Sequence, residues 1–126
     1  MPTSVEIRDN IVEILWSGTF AAGEVSESLI AIKDNLAEGQ NISILIKDQV
    51  QVFHFDSAEA RLIAALLKEM KARGVKKTCM VVNKPVHYGI GRMISAYCDL
   101  VSVIFEIFWE EDKARAWLQS DQGALE

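Results

Sequence analysis

Three short apolar runs constrain this chain more than any other feature: Ile42-Ser43-Ile44-Leu45-Ile46, Thr78-Cys79-Met80-Val81-Val82, and Ser102 to Phe108. The first is too apolar to be an exposed edge and, like the second, reads as a strand buried in a sheet, and the third reads as a last strand. Helical periodicity fills the gaps between them. From Ala22 to about Glu38, Val25, Leu29, Ile32 and Leu36 share one helix face, and Gly39 stands where a left-handed C-terminal residue belongs. From about Ser57 to Arg73, Leu62, Ile63, Leu66, Leu67 and Met70 turn inward, with Gly74 as the stop. Tyr88 to Leu100 places Ile90, Met93, Ile94 and Tyr97 at helical spacing, and Glu110-Glu111-Asp112 opens a last helix carrying Ala114, Trp117 and Leu118. Before all of these, Val5-Glu6-Ile7 and Ile11 to Trp16 flank Asp9-Asn10, the signature of a hairpin with a two-residue loop.

The expected order is β-β-α-β-α-β-α-β-α. It implies an α/β domain with a mixed, mostly parallel sheet of about five strands and about four covering helices. One domain is expected over residues 1–120, with 121–126 as a loose tail. The segment from Asp48 to Asp56 is expected to be the chief irregular stretch.

Composition narrows the function classes. Half of the 126 residues are hydrophobic, a quarter are charged and the formal charge is −5, which suits a soluble globular chain and argues against a general nucleic-acid binder. No segment approaches the roughly 20 apolar residues of a membrane span, and the first residues lack a signal-peptide core, so the cytoplasm is the expected location. Cys79 and Cys98 fall on apolar patterns and read as buried, reduced thiols.

The loop and helix start around Ile44-Leu45-Ile46-Lys47-Asp48 and Phe55-Asp56-Ser57 resemble the anti-sigma-factor-antagonist signature, in which a strand and short loop lead to Asp-Ser-(Ser/Thr)-Gly. On that likeness Asp56 and Ser57 fall on the family's Asp and phosphoacceptor Ser, while Ala58 and Glu59 depart from its hydroxyl residue and Gly. Tyr88-Gly89-Ile90-Gly91-Arg92-Met93 with Tyr97, Val103-Ile104-Phe105, Ala114 to Leu118, Trp16-Ser17-Gly18 and Glu24-Val25 are similar to SpoIIAA-like (STAS/SEC14-type) domains. The resemblance implies the STAS fold and a protein-contacting, regulatory role, with distant kinship to lipid-exchange domains.

Each candidate site has a plain structural reading beside the functional one. Asp56 is a natural N-cap, and Glu59 would complete a capping box; Ser57, Asp56 and Asp48 are also the candidate phosphorylation or partner-contact residues. Tyr88, Gly89, Gly91 and Arg92 form a candidate ligand or anion loop, since Gly-x-Gly at a helix start exposes backbone N–H groups. The competing reading makes these glycines sites of close packing. His54 with Asp48 and Asp56 matches no metal-ligand spacing, His87 is expected in a loop after Pro85, and no nucleophile elbow is present. The Lys68, Lys71, Arg73, Lys76 and Lys77 run reads as a solvated face. Trp16, Phe53, Phe55 and Trp109 are expected mostly in the core.

The sequence therefore points to a non-catalytic protein-interaction or regulatory domain without cofactor or metal. Its partner is expected to be a protein, with a homodimer as a further option. The alternative is a domain that holds a small apolar or lipid-like ligand between the sheet and the helix near Tyr88.

Overall fold

A computed structural model describes residues 3–21, 23–36 and 41–120. The expected tail, 121–126, and Gly39 lie outside the described residues. The elements are β1 (Thr3–Arg8), β2 (Ile11–Phe20), α1 (Glu24–Asp34), β3 (Ile42–Phe53), α2 (Ser57–Ala72), β4 (Val75–Val81), α3 (Pro85–Leu100), β5 (Phe105–Phe108) and α4 (Glu111–Gln119). They form one five-stranded sheet in the order β1-β2-β3-β4-β5, antiparallel between β1 and β2 and parallel thereafter. Asp9 and Asn10 close the hairpin with φ of 51° and 65°, the left-handed pair that matches the twist of the strands they join.

This strand order dictates the layers. From β2 to β5 every crossover moves one strand in the same direction. Right-handed connections then place α1, α2 and α3 on one face and leave the other to α4. The main core lies under the three helices, where Ile14, Trp16, Ile44, Ile46 and Met80 meet Leu29, Ile63 and Ile94. A smaller core of Ile11, Leu45, Cys79, Ala114 and Leu118 fills the α4 side.

Two departures from the sequence expectation bear on function. β3 runs on to Phe53, so most of the segment expected to be irregular is strand, held by β2 through Val52 opposite Thr19 and Phe53 opposite Phe20. α3 begins at Pro85, a residue suited to the first helical position, three residues before the expected start at Tyr88, and so takes in His87, which the sequence places in a loop. Leu62, expected inward, is 47% exposed on the outer side of α2.

Polar groups tie the layers together. Lys77 is not part of a solvated face: it is buried beneath α4 and donates to the carbonyl of Trp117 at 2.7 Å, where the helix's negative end favours a cation. Arg73 donates to the Leu36 carbonyl at 3.2 Å. Glu13, buried in β2, gathers Arg115 of α4 at 2.8 Å, Arg8 at 3.0 Å and Lys47 at 3.6 Å.

The hydrogen bond from Arg115, reinforced by Arg8 against the penalty of burial, holds the Glu13 pKa down at about 2, against 4.5 for the free side chain. A depressed carboxylate stabilises the fold above its unfolded pKa and loses that contribution as pH falls from 4.5 towards 2. Urea melts should show wild-type stability dropping between pH 5 and pH 2.5 by more than that of Glu13→Gln. Parallel curves for the two proteins would assign the acid loss to other groups.

Candidate functional site

The parallel strands end together, and the four junctions by which β2, β3, β4 and β5 lead into α1, α2, α3 and α4 meet at that end of the sheet. This is the end at which α/β sheets usually bind what they bind.

Ser57 opens α2 exposed to solvent, with Asp56 and Ala58 also exposed beside it. The Asp56 carboxylate accepts the Glu59 N–H at 2.9 Å, so the N-cap is formed. The other half of the expected capping box is not. The Glu59 carboxylate instead accepts the Gly23 N–H at 2.9 and 3.2 Å, fastening the start of α1 to the first turn of α2. Gly23 sits at φ 86°, a conformation that a side chain would strain.

Asp48 does not reach this surface. Its position in β3 shares a face with Ile44, Ile46 and Val50, which points it under the helices, and it is only 2% exposed. One carboxylate oxygen accepts the Val50 N–H at 3.0 Å. The other lies 3.0 Å from Nδ1 of His87, and these two atoms have no other polar partner among the described residues. Burial pushes the Asp48 carboxyl above the ordinary aspartate range, against the opposing pull of the Val50 N–H, His87 and Lys84. Phe53 closes over the pair, its ring edge-on to the imidazole at 5.0 Å. Phe53 also touches Trp16, Phe20 and Phe55, so an aromatic column runs from the core to the loop before Ser57. Trp16 and Phe20 are buried, and Phe53 and Phe55 are half-buried.

The Gly-x-Gly segment lies inside α3, where the N–H groups of Gly89 and Gly91 belong to the helical ladder and are not turned outward to an anion. Close packing explains one glycine. A Cβ on Gly91 would come 3.0–3.4 Å from three atoms of the Ile107 side chain, whereas one on Gly89 would meet nothing within 4 Å. Gly89→Ala should therefore raise stability by about 0.5–1 kcal/mol, and Gly91→Ala should lower it by about 1 kcal/mol through overpacking. Thermal melts of the two variants should move in opposite directions; shifts of the same sign would contradict this packing.

Tyr88 stacks on Trp109, with ring centroids 5.2 Å apart and planes within 12°. Beside them Arg92 borders a cleft of about 200 Å³ shared with Ser95, Asp99 and Glu106. A larger and more apolar groove, about 580 Å³, lies elsewhere, between β1 and α1. At the carboxyl end of the sheet three large apolar side chains stand in solvent: Val86 at 73%, Trp109 at 51% and Val52 at 45%. Residue spacing gives no hint of Val86 or Val52, and the sequence reading counts Trp109 towards the core.

Cys79 and Cys98 are buried, and burial pushes each thiol up to about 12, far from a reactive thiolate. Among the described residues no group of three or more His, Cys, Asp or Glu side chains is placed to hold a metal, and no helix is long and apolar enough to cross a membrane.

Several solved structures share this geometry. An anti-sigma factor antagonist from Mycobacterium paratuberculosis superposes with a TM-score of 0.65 at 16% identity, over 94% of this chain and 93% of that one. The anti-sigma factor antagonist SpoIIAA in its unphosphorylated form gives 0.61 at 14% identity, over 94% and 98%. The chain has the SpoIIAA-like fold. An uncharacterised DUF3478-family protein with a SpoIIAA-like fold from Shewanella loihica follows at 0.57 and 12%, over 92% and 91%. No family model matches the sequence, and no curated protein matches it.

Proposed function

We propose that this SpoIIAA-like chain is a non-catalytic protein-binding module whose contact surface is the carboxyl end of its sheet, centred on Ser57, Phe55, Val86 and Trp109. One observation supports this above the rest: large apolar side chains stand exposed at the same end as the Asp56–Ser57 helix start. Exposed apolar groups rimmed by polar ones are what protein-docking surfaces present. The acid-base pair at this end, Asp48 and His87, is closed off from solvent, which favours a structural use over a chemical one. The fold's similarity to anti-sigma factor antagonists, whose function by name is to oppose another protein, points the same way.

Ser57 is the residue through which such a surface is controlled. A phosphate there would sit at the positive end of α2, opposed by the Asp56 carboxylate, and would change the charge of the patch without disturbing the core.

Affinity capture from the native host tests the proposal. Wild-type protein should retain a partner that Val86→Glu and Trp109→Ala both lose while melting as the wild type does, and Ser57→Asp should alter capture. Equal capture by all four proteins contradicts the assignment of this surface.

A further inference from the structure

The sheet has one long open edge. β5, at the other side, spans only four residues, whereas β1 spans six. Among the described residues nothing pairs with the outer side of β1. Natural edges are commonly blunted by charges, Lys above all, by Pro or by a bulge. β1 reads Thr-Ser-Val-Glu-Ile-Arg: it has no Lys, Pro or register shift, and its two charges, Glu6 and Arg8, are of opposite sign and pair with each other.

The hairpin fixes which backbone groups face outward. Arg8 and Ile11 flank the two-residue turn and so exchange the hydrogen bonds that close it. Alternation then turns the N–H and C=O of Ser4 and Glu6 towards β2, and those of Thr3, Val5 and Ile7 outward. The same three residues aim their side chains to the helix side, where they wall the 580 Å³ groove with Ala31, Ile32 and Leu36 of the α1 segment. Val5 is 48% exposed and Ile7 67%. On the opposite side Glu6 and Arg8 lie 3.8 Å apart, one acid and one base.

We infer that this edge is completed by a second copy of the chain, β1 against β1 in antiparallel sense about a two-fold axis near Glu6. In that register Val5 faces Ile7 of the second copy, and Ile7 its Val5. Each pair exchanges two backbone bonds, about four in all. The paired apolar side chains cover what each copy leaves in water and line a trough continuous across both grooves. The two Glu6 carboxylates meet at the axis. Each lies between its own Arg8 and the diagonal Arg8 of the second copy, so the cluster is charge-balanced. Self-complementarity is what singles out a second copy: the strand is neutral and alternates in sign, and one two-fold contact uses up both long edges and closes the assembly. The contact leaves the carboxyl end of the sheet open, so it stands or falls independently of the docking surface proposed there.

Sedimentation velocity on the full chain tests it, at about 100 μM because the contact is small. The expected result is a reversible dimer that Val5→Lys with Ile7→Lys dissociates, with an unchanged circular dichroism spectrum because both side chains are already exposed. A second measurement fixes the geometry. Glu6→Cys should yield a disulfide-linked dimer under mild oxidation, while Ser4→Cys should not, since only position 6 lies on the axis. A monomer at that concentration, a dimer indifferent to both lysines, or crosslinking at position 4 in place of 6 overturns the proposal. So does a monomer whose groove takes up an apolar dye.

Discussion

His87→Ala should lower the unfolding free energy by about 3 kcal/mol at neutral pH, because it leaves the buried Asp48 carboxyl without the imidazole nitrogen 3.0 Å away. The sign of the pH dependence follows from burial. The folded-state pKa of Asp48 lies above the 3.8 of a free aspartate, so the folded chain holds that proton more tightly than the unfolded chain does. Ionisation of Asp48 therefore weakens the fold as pH rises through the folded pKa, and this penalty is absent below 3.8. Removing His87 takes away an opposing pull and drives the folded pKa higher still. The variant should lose most near pH 7 and approach wild type near pH 4, where the remaining deficit is lost packing against Phe53. Urea melts at the two pH values read this directly. Replacing both partners, Asp48→Leu with His87→Leu, should recover much of the loss, since an apolar pair of similar bulk leaves no buried polar group unpaired. An equal deficit at both pH values would mean that the imidazole acts only by filling space.

The second large effect lies deeper in the same column. Trp16 is 1% exposed, with the rings of Phe20 and Phe53 at 5.8 and 6.3 Å. Trp16→Ala should cost about 3–5 kcal/mol, the usual penalty for emptying a large aromatic site. Among the described residues its buried indole N–H has no hydrogen-bond partner, which by itself weakens the fold. Trp16→Phe discards that orphan donor while keeping most of the ring, and its net cost should stay below about 1.5 kcal/mol. Because Phe53 leans on both Trp16 and His87, Trp16→Ala should also speed amide exchange from Val52 to Ser57. If exchange there stays at the wild-type rate, the aromatic column does not support the docking end.

Much of this architecture was legible in the residues. The apolar runs at Ile42–Ile46 and Thr78–Val82 are strands for the physical reason that made them conspicuous, burial on both faces. Asp9-Asn10 makes its turn because those side chains tolerate positive φ. What escaped reading is tertiary in origin. Nothing local says that β3 continues to Phe53; the pairing with β2 does that. The Asp48–His87 pair joins residues far apart in sequence. Its one local trace is a charge at the position that continues the alternation of Ile44 and Ile46, where burial would demand a partner. Lys77 looked like one more surface cation because its acceptors, the carbonyls that end α4, are supplied by a helix on the far side of the sheet. The glycines of α3 suggested a loop because helix propensity disfavours them, yet contact with Ile107 accounts for Gly91. Ser57 and Asp56 were identified as a helix start, and the exposed Val86 and Trp109 that give them a surface were not, since exposure depends on how strand ends and helix starts converge.

The most direct test of the docking surface is photo-crosslinking in the native host, with a benzophenone side chain placed at position 57, 86 or 109 and, as a control, at the exposed Lys76 near the opposite end of the sheet. The same partner should be trapped from positions 57, 86 and 109 and none from Lys76. Adducts from the control alone, or equal yields from all four positions, would contradict it.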